Sequence, residues 1–178
     1  MKKIVVPIIV VIIVLVILYV AFGTKVEKIG DDGEPVNIGE TAPDFNAEYV
    51  DGEIFTLSDA RGKVVILNFW ATWCGPCCEE LPAFQKLHDE YGDKLQVIAI
   101  DYGESEKEVS GFIKENGYSF PVALDKDGSI SALYPTDGIP YTLIIDKNGI
   151  IRQIFVGAKS AEEQYELYKN AIEDLIDG

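Results

Sequence analysis

The sequence predicts an α/β domain, a mixed central sheet flanked by helices, preceded by one transmembrane helix. Three observations support this: a long uncharged N-terminal segment, apolar runs of strand length, and intervening segments with helical periodicity. The 178 residues allow one ordinary domain and an additional segment. We expect a membrane anchor or signal sequence at residues 1–23, a linker at 24–39 and the domain at 40–178.

The uncharged segment Ile4–Phe22 matches a helix across the ~30 Å hydrocarbon core of a membrane. A cleavable signal peptide is the alternative, because Ala21–Gly23 resembles a cleavage site. Signal peptides usually have a shorter apolar region of ~7–15 residues, which favours a retained anchor. Lys2 and Lys3 precede the segment, and this bias predicts a cytoplasmic N-terminus with the domain on the extracytoplasmic side.

The elements of the domain follow from apolar runs, turn residues and helix caps. A hairpin turns at Asp51-Gly52 and precedes the order β, α, β, α, β, β, β, α. Capping boxes at Ser105 and Ser160 open the second and the last helix, and one helical turn is expected near 130–133. The predicted strands after the hairpin span residues 64–70, 95–100, 121–124, 141–145 and 150–156. Interleaved buried strands and helices indicate an α/β sheet with helices on both faces, and the closing hairpin makes it mixed.

The net charge of −15 excludes nucleic acid as a partner, because nucleic-acid affinity depends on phosphate neutralisation. The same charge favours basic protein partners, or it serves only solubility. The pattern contains no second pair of metal ligands, so we expect neither a metal nor a cofactor. We expect a monomer.

All three cysteines lie within residues 74–78, where a buried strand ends and a helix begins. The first turn of a helix has unpaired N–H groups and the positive end of the dipole, which favour a thiolate at Cys74. The thiolate is the attacking species in disulfide exchange. Cys77 lies one turn deeper and is expected to act second. Pro76 tolerates an early helical position and stiffens the turn.

Residues 69–77, read with Ala42–Phe45, Glu80–Pro82 and Gly138–Pro140, resemble the membrane-anchored, extracytoplasmic TlpA/ResA-like branch of the thioredoxin family. The resemblance implies a thioredoxin-like fold with an N-terminal β-hairpin and a central αβ insertion around Leu95–Leu124. It implies a thiol–disulfide oxidoreductase that reduces protein disulfides outside the membrane, often those of apocytochrome c. A membrane electron donor of the thiol-relay type would supply the electrons.

The resemblance also implies particular site residues. Cys74 and Cys77 are the expected catalytic pair. Substrate binding is expected at five residues around them: Trp73, Gly75, Pro76, Ile139 and Pro140. A cis Ile139–Pro140 bond would bring backbone groups beside the cysteines, and cis bonds occur almost only before proline.

Asn68 stands where cytosolic thioredoxins have a proton-carrying aspartate, six residues before the first cysteine. The ResA-like pattern instead has a glutamate that matches Glu80, which we expect to tune or relay the proton of Cys77. The alternative for Glu80 is a solvated helix residue, as expected for Glu79. Cys78 is interpreted as a half-buried bystander, although a wrong disulfide or a family-specific role is conceivable. His88 is expected on the helix surface.

The Gly-Pro dipeptide between the cysteines favours a reductant, with general disulfide exchange or oxidation as the alternative. A peroxiredoxin-type peroxidase would need a proline and a threonine where Leu67 and Ala71 stand. A copper-binding module would need further Cys, His or Met ligands, and the only methionine is Met1.

Overall fold

The computed structural model describes residues 35–178. The predicted anchor at 1–23 and most of the predicted linker at 24–39 lie outside this range. Within the described residues, no helix has both the length and the apolar character that crossing a membrane requires.

The described part of the chain contains seven strands, four α-helices and two short 3₁₀ helices. The strands are β1 (Asn46–Tyr49), β2 (Ile54–Thr56), β3 (Val64–Trp70), β4 (Leu95–Tyr102), β5 (Val122–Asp125), β6 (Tyr141–Ile145) and β7 (Ile151–Val156). The α-helices are α1 (Gly75–Tyr91), α2 (Glu106–Asn116), α3 (Ser129–Ala132) and α4 (Ala161–Asp177). The 3₁₀ helices are Leu57–Ala60 and Gly92–Lys94.

The strands form one sheet in the order β2-β1-β5-β4-β3-β6-β7. β3, β4 and β5 are parallel neighbours, whereas β6, β7 and the β1–β2 hairpin pair antiparallel. The predicted mixed sheet flanked by helices is therefore confirmed. The segment α2–β5 follows β4 and adds a strand between β4 and β1, in the region expected for the αβ insertion.

The three longer helices pack on one face of the sheet, against a core that includes Val64, Ile66 and Val97. The other face is covered by the segment that contains Ala42 and Phe45, by the first 3₁₀ helix and by α3. Helices on both faces were expected, and the second face carries only these short helical turns. The reason is that β3, β4 and β5 succeed one another in one direction, so right-handed crossovers place α1 and α2 on the same side.

β3 is the strand that positions the site, and every one of its residues is buried. It lies between β4 and β6, and the register sets Trp70 opposite Asp101 and Asn68 opposite Thr142. Such burial on both faces is typical of a central strand and explains its unbroken apolar run. The chain leaves β3 at Trp70 and reaches the cysteines four residues later.

Candidate active site

Cys74 and Cys77 form a disulfide at the N-terminus of α1, with a Cα–Cα distance of 5.2 Å. Cys74 is the N-cap residue, and its Sγ accepts the backbone N–H of Cys77 at 3.3 Å. Pro76 lies in the first turn, where its missing N–H costs no helical hydrogen bond. A helix start of this kind stabilises negative charge on the sulfur of Cys74. Cys77 has no exposed surface, whereas Cys74 keeps 7% exposed.

The Ile139–Pro140 peptide bond is cis and lies beside the disulfide. The carbonyl oxygen of Ile139 is 3.9 Å from Sγ of Cys74. Pro140 is buried, and its own carbonyl accepts the N–H of Gly157 at 2.8 Å, which ties the loop to the end of β7. The loop before β6 therefore presents backbone groups directly to the first cysteine.

A groove of about 430 Å³ opens next to Cys74. Its lining includes Trp73 and Ile139, and the exposed fractions of the Trp73 and Tyr102 side chains are 66% and 50%. The remaining walls come from β3 and from the segment between β5 and β6: Phe69, Gly128, Ser131, Ala132, Tyr134, Pro135, Thr136, Asp137 and Gly138. The groove is thus a largely apolar surface that borders the disulfide through Trp73 and Ile139.

The structure separates the five predicted substrate-binding residues into three positions. Trp73 and Ile139 line the groove, whereas Gly75 and Pro76 are exposed at the start of α1. Pro140 is buried beneath the loop and does not line the groove. Gly75 and Pro76 lie between the two cysteines of the disulfide, outside the lining of the groove.

Comparison with known proteins places this site in a family. The AhpC/TSA family matches residues 38–154. The chain is 35% identical over 168 residues to the thiol–disulfide oxidoreductase ResA of Bacillus thuringiensis subsp. konkukian. This match covers 94% of this chain and 93% of that protein. It is 45% identical over 128 residues to the thioredoxin-like protein YneN of Bacillus subtilis, covering 70% of this chain and 75% of that one.

The chain belongs to the AhpC/TSA family. The resemblance to its thioredoxin-like, ResA-type members, predicted from the motifs, is confirmed. Among solved structures, StoA from Bacillus subtilis superposes with a TM-score of 0.61 at 29% identity, covering 71% of this chain and 97% of that chain. A thiol:disulfide interchange protein from Chlorobium tepidum gives a TM-score of 0.65 at 28% identity, covering 80% and 99%. The predicted enzyme class, thiol–disulfide oxidoreductase, is confirmed.

In this family member Glu80 is fully buried in what we call the resolving cluster: Asn68, Glu80, Thr142 and Tyr168. The amide of Asn68 donates to Glu80 Oε1 at 2.8 Å, and the hydroxyl of Tyr168 donates to Glu80 Oε2 at 2.8 Å. Burial raises the pKa of Glu80 to about 8, although these two hydrogen bonds act in the opposite direction. Glu80 lies three residues after Cys77, while Glu79 is exposed as expected.

Cys78 is the free thiol of the three cysteines and is half-buried. Its Sγ lies 3.3 Å from the carbonyl oxygen of Thr72. Burial raises the pKa of the Cys78 thiol, and the charge of Glu104 raises it further. His88, expected on the helix surface, is half-buried instead, because its side of α1 turns partly toward the core.

A second polar group, which we call the loop cluster, consists of Thr72, Asp101 and Glu104 and was not predicted. Both the N–H and the hydroxyl of Thr72 donate to the carboxylate of Glu104. Asp101 is fully buried at the end of β4. The one sequence feature that could have indicated this cluster is Asp101, an acidic residue directly after the apolar run 95–100. Within residues 35–178, no three His, Cys, Asp or Glu side chains are grouped so that they could hold a metal ion.

Proposed function

We propose that this thiol–disulfide oxidoreductase acts as a reductant of protein disulfides on the extracytoplasmic side of a membrane. Cys74 is the nucleophile and Cys77 the resolving cysteine. The observation that carries the proposal is the position of Cys74 at the start of α1, where the Cys77 N–H donates to its sulfur. A thiolate in that position is stabilised by the helix, so it attacks disulfides readily at neutral pH.

The proposed reaction has two exchanges. The Cys74 thiolate attacks one sulfur of the substrate disulfide, which forms a mixed disulfide and releases the other substrate sulfur as a thiolate. Cys77 then loses its proton and attacks Cys74 Sγ, which releases the second substrate thiolate and leaves the Cys74–Cys77 disulfide. Two electrons and two protons pass to the substrate. A membrane donor of the thiol-relay type restores the dithiol.

Glu80 accepts the proton that Cys77 loses in the second exchange. Cys77 has no exposed surface, so water cannot readily take its proton. A carboxyl with a pKa of about 8 one turn along the same helix is close to the pKa at which proton exchange with a thiol is efficient. The side-chain amide of Asn68 and the Tyr168 hydroxyl orient the carboxyl and do not compete for the proton at neutral pH.

The groove next to Cys74 is the proposed site for the substrate polypeptide. Trp73 and Ile139 would contact the residues that flank the substrate cysteine, and the backbone of Ile139 would pair with its extended chain. Gly75, Pro76 and Pro140 shape the approach to the disulfide. We propose apocytochrome c as the substrate among protein disulfides, and a monomeric protein anchored by residues 1–23 through a linker at 24–39 to the domain at 40–178.

The main test is trapping with Cys77→Ser in cells. Removal of the resolving thiol should leave substrates joined to Cys74 as mixed disulfides that survive non-reducing electrophoresis. The matched control is the double variant Cys74→Ser/Cys77→Ser, which should capture nothing. Apocytochromes c among the captured proteins support the proposed substrate, whereas a broad mixture indicates general disulfide reduction. Equal capture by both variants would contradict the assignment of Cys74.

The direction of the reaction is tested by equilibrating the purified protein with glutathione buffers. A reductant should have a potential near that of thioredoxin, roughly −270 mV, whereas strong oxidants lie near about −120 mV. A potential above about −180 mV would favour the oxidant alternative. Labelling of reduced cells with a membrane-impermeant maleimide tests location. If the domain is outside, Cys74 should react equally in intact and in permeabilised cells.

A further inference from the structure

The loop Ala71–Trp73, which joins β3 to Cys74, is tethered from another part of the chain. Thr72 donates its backbone N–H to Glu104 Oε2 at 2.6 Å and its hydroxyl to Glu104 Oε1. Both carboxylate oxygens of Glu104 therefore accept hydrogen bonds from a residue 32 positions away in sequence. Hydrogen bonds to an ionised carboxylate are short and about twice as strong as neutral ones. Glu104 in this position carries a negative charge.

Asp101 lies next to Glu104 and is in a different state. It has no exposed surface, and its Oδ1 accepts the backbone N–H of Glu104 at 3.1 Å. Its Oδ2 is buried and has no hydrogen-bond partner among the described residues. An ionised carboxylate with a buried, unpaired oxygen is costly. Burial raises the pKa of Asp101, and the neighbouring carboxylate of Glu104 raises it further.

Among residues 35–178, no positively charged side chain pairs with Asp101 or Glu104. The charge of Glu108, on α2, also raises the pKa of Asp101, and Cys78, on α1, faces Glu104. Trp70 on β3 and Leu124 on β5 stand opposite Asp101 in the sheet and carry no charge. The ion pairs formed by residues 35–178 involve neither Asp101 nor Glu104.

We infer that Asp101 is neutral and Glu104 ionised, and that this singly charged pair fixes the loop Ala71–Trp73 through Thr72. The loop carries Trp73, a wall of the groove, and leads into Cys74. The tether therefore sets the position of the nucleophile relative to the groove. Loss of the proton places two negative charges side by side. Glu104, which is only half-buried, then turns toward water, and Thr72 loses both acceptors.

Asp101 and Glu104 are thus positioning residues, and they make the geometry ahead of the nucleophile dependent on pH. The functional consequence rests on the proposed role of Cys74. The tether itself does not, because it can be measured in the disulfide form, without turnover. In that form Cys74 and Cys77 do not titrate.

The test is NMR of the Thr72 backbone amide in the oxidised full-length chain, titrated from acidic to alkaline pH. In the wild type, the amide proton should move upfield and its protection against exchange should fall roughly tenfold as the pair loses its proton. Asp101→Asn should remove this transition and keep the protection, because asparagine stays neutral at every pH. Glu104→Gln should lower the protection at every pH.

Glu106→Gln is the matched control, since Glu106 is exposed and close in sequence to Glu104; it should leave the Thr72 amide as in the wild type. Glu80→Gln removes the titration of Glu80 in the resolving cluster, and the Thr72 transition should remain in this variant. A Thr72 amide that titrates identically in the wild type and Asp101→Asn would overturn the inference. Unchanged protection in Glu104→Gln would do the same. Failure of the reductase assay alone would contradict the proposed function and leave this inference standing.

Discussion

Glu80 and Asp101 are both fully buried carboxyls, on elements that adjoin the disulfide, but their surroundings differ. In the resolving cluster, each oxygen of Glu80 accepts a hydrogen bond from a neutral donor. In the loop cluster, Asp101 has one unpaired oxygen and a second carboxyl as its neighbour. Neutral donors allow a buried acid to gain and lose a proton with the same partners in place. A like-charged neighbour couples the proton to the position of a side chain. The first arrangement suits proton transfer and the second suits positioning.

The largest effect is expected for Glu80→Gln. Glutamine keeps the acceptor for Asn68 but cannot take the proton of Cys77, so the second exchange should slow on the order of 100-fold. The measurement is rapid-quench decay of a mixed disulfide formed at Cys74 in the reduced protein. Glu104→Gln is the comparison variant and should slow this decay much less, because it changes position and not proton transfer. Equal slowing in both variants would remove the distinction between the two clusters.

Stability should also depend on pH through Glu80. Its folded pKa of about 8 lies above the unfolded value, so the unfolded state loses its proton first as pH rises. The free energy of unfolding should therefore fall from about pH 4.5 to about pH 8 and then level off. We expect Glu80→Gln to remove a contribution on the order of 5 kcal/mol across this window. Guanidinium unfolding at several pH values measures it, and parallel curves for the two proteins would contradict it.

A third variant makes the resolving cluster resemble the loop cluster. Asn68→Asp places a carboxyl against Glu80 in a site with no exposed surface. The pair should then keep one proton to higher pH, which raises the apparent pKa. We expect the free energy of unfolding at pH 8 to fall by roughly 2 kcal/mol more than at pH 5.

The control for that change is Asn46→Asp, which is exposed and can still accept the hydroxyl of Thr56. It should show little dependence on pH. Carbon-13 detection of the Glu80 carboxyl gives the pKa directly, and an unmoved Glu80 titration in Asn68→Asp would count against the contact.

The smallest effect is expected for Cys78→Ser. Cys78 lies close to Glu104 but outside both networks, and its thiol has a raised pKa that keeps it uncharged. Serine can donate to the Thr72 carbonyl as the thiol does, so the free energy of unfolding should change by about 0.5 kcal/mol or less. Insulin reduction and thermal unfolding measure the two outcomes. A large loss of activity would assign Cys78 a role in exchange.

Local sequence patterns predicted the parts of this site that depend on neighbours along the chain. The apolar run of β3, the helix start at Cys74 and the exposed Glu79 follow from periodicity, caps and charge. The cis bond before Pro140 and the expected role of Glu80 toward the Cys77 proton came from the family resemblance. Tyr168 was not assigned to the site from the sequence, because helical periodicity does not indicate where its hydroxyl lies.

The loop cluster could not be predicted in the same way. Thr72 and Glu104 meet only because the parallel register of β3 and β4 brings the ends of both strands together. The distribution of the helices was missed for a similar reason, since it depends on the order of β3, β4 and β5 in the sheet. Register and strand order are properties of the assembled sheet, which patterns along one segment do not specify.

The N-terminal part of the described chain is attached at the end of the sheet remote from the disulfide. Thr41 bridges to Ile150, and the Gly39 N–H donates to the Ile151 carbonyl, at the turn between β6 and β7. The length of β3, roughly 20 Å, separates that turn from Cys74. Coupling the domain to a bead or sensor chip through residues 35–39 would therefore hold it by the far end and leave the redox centre open to large polypeptides.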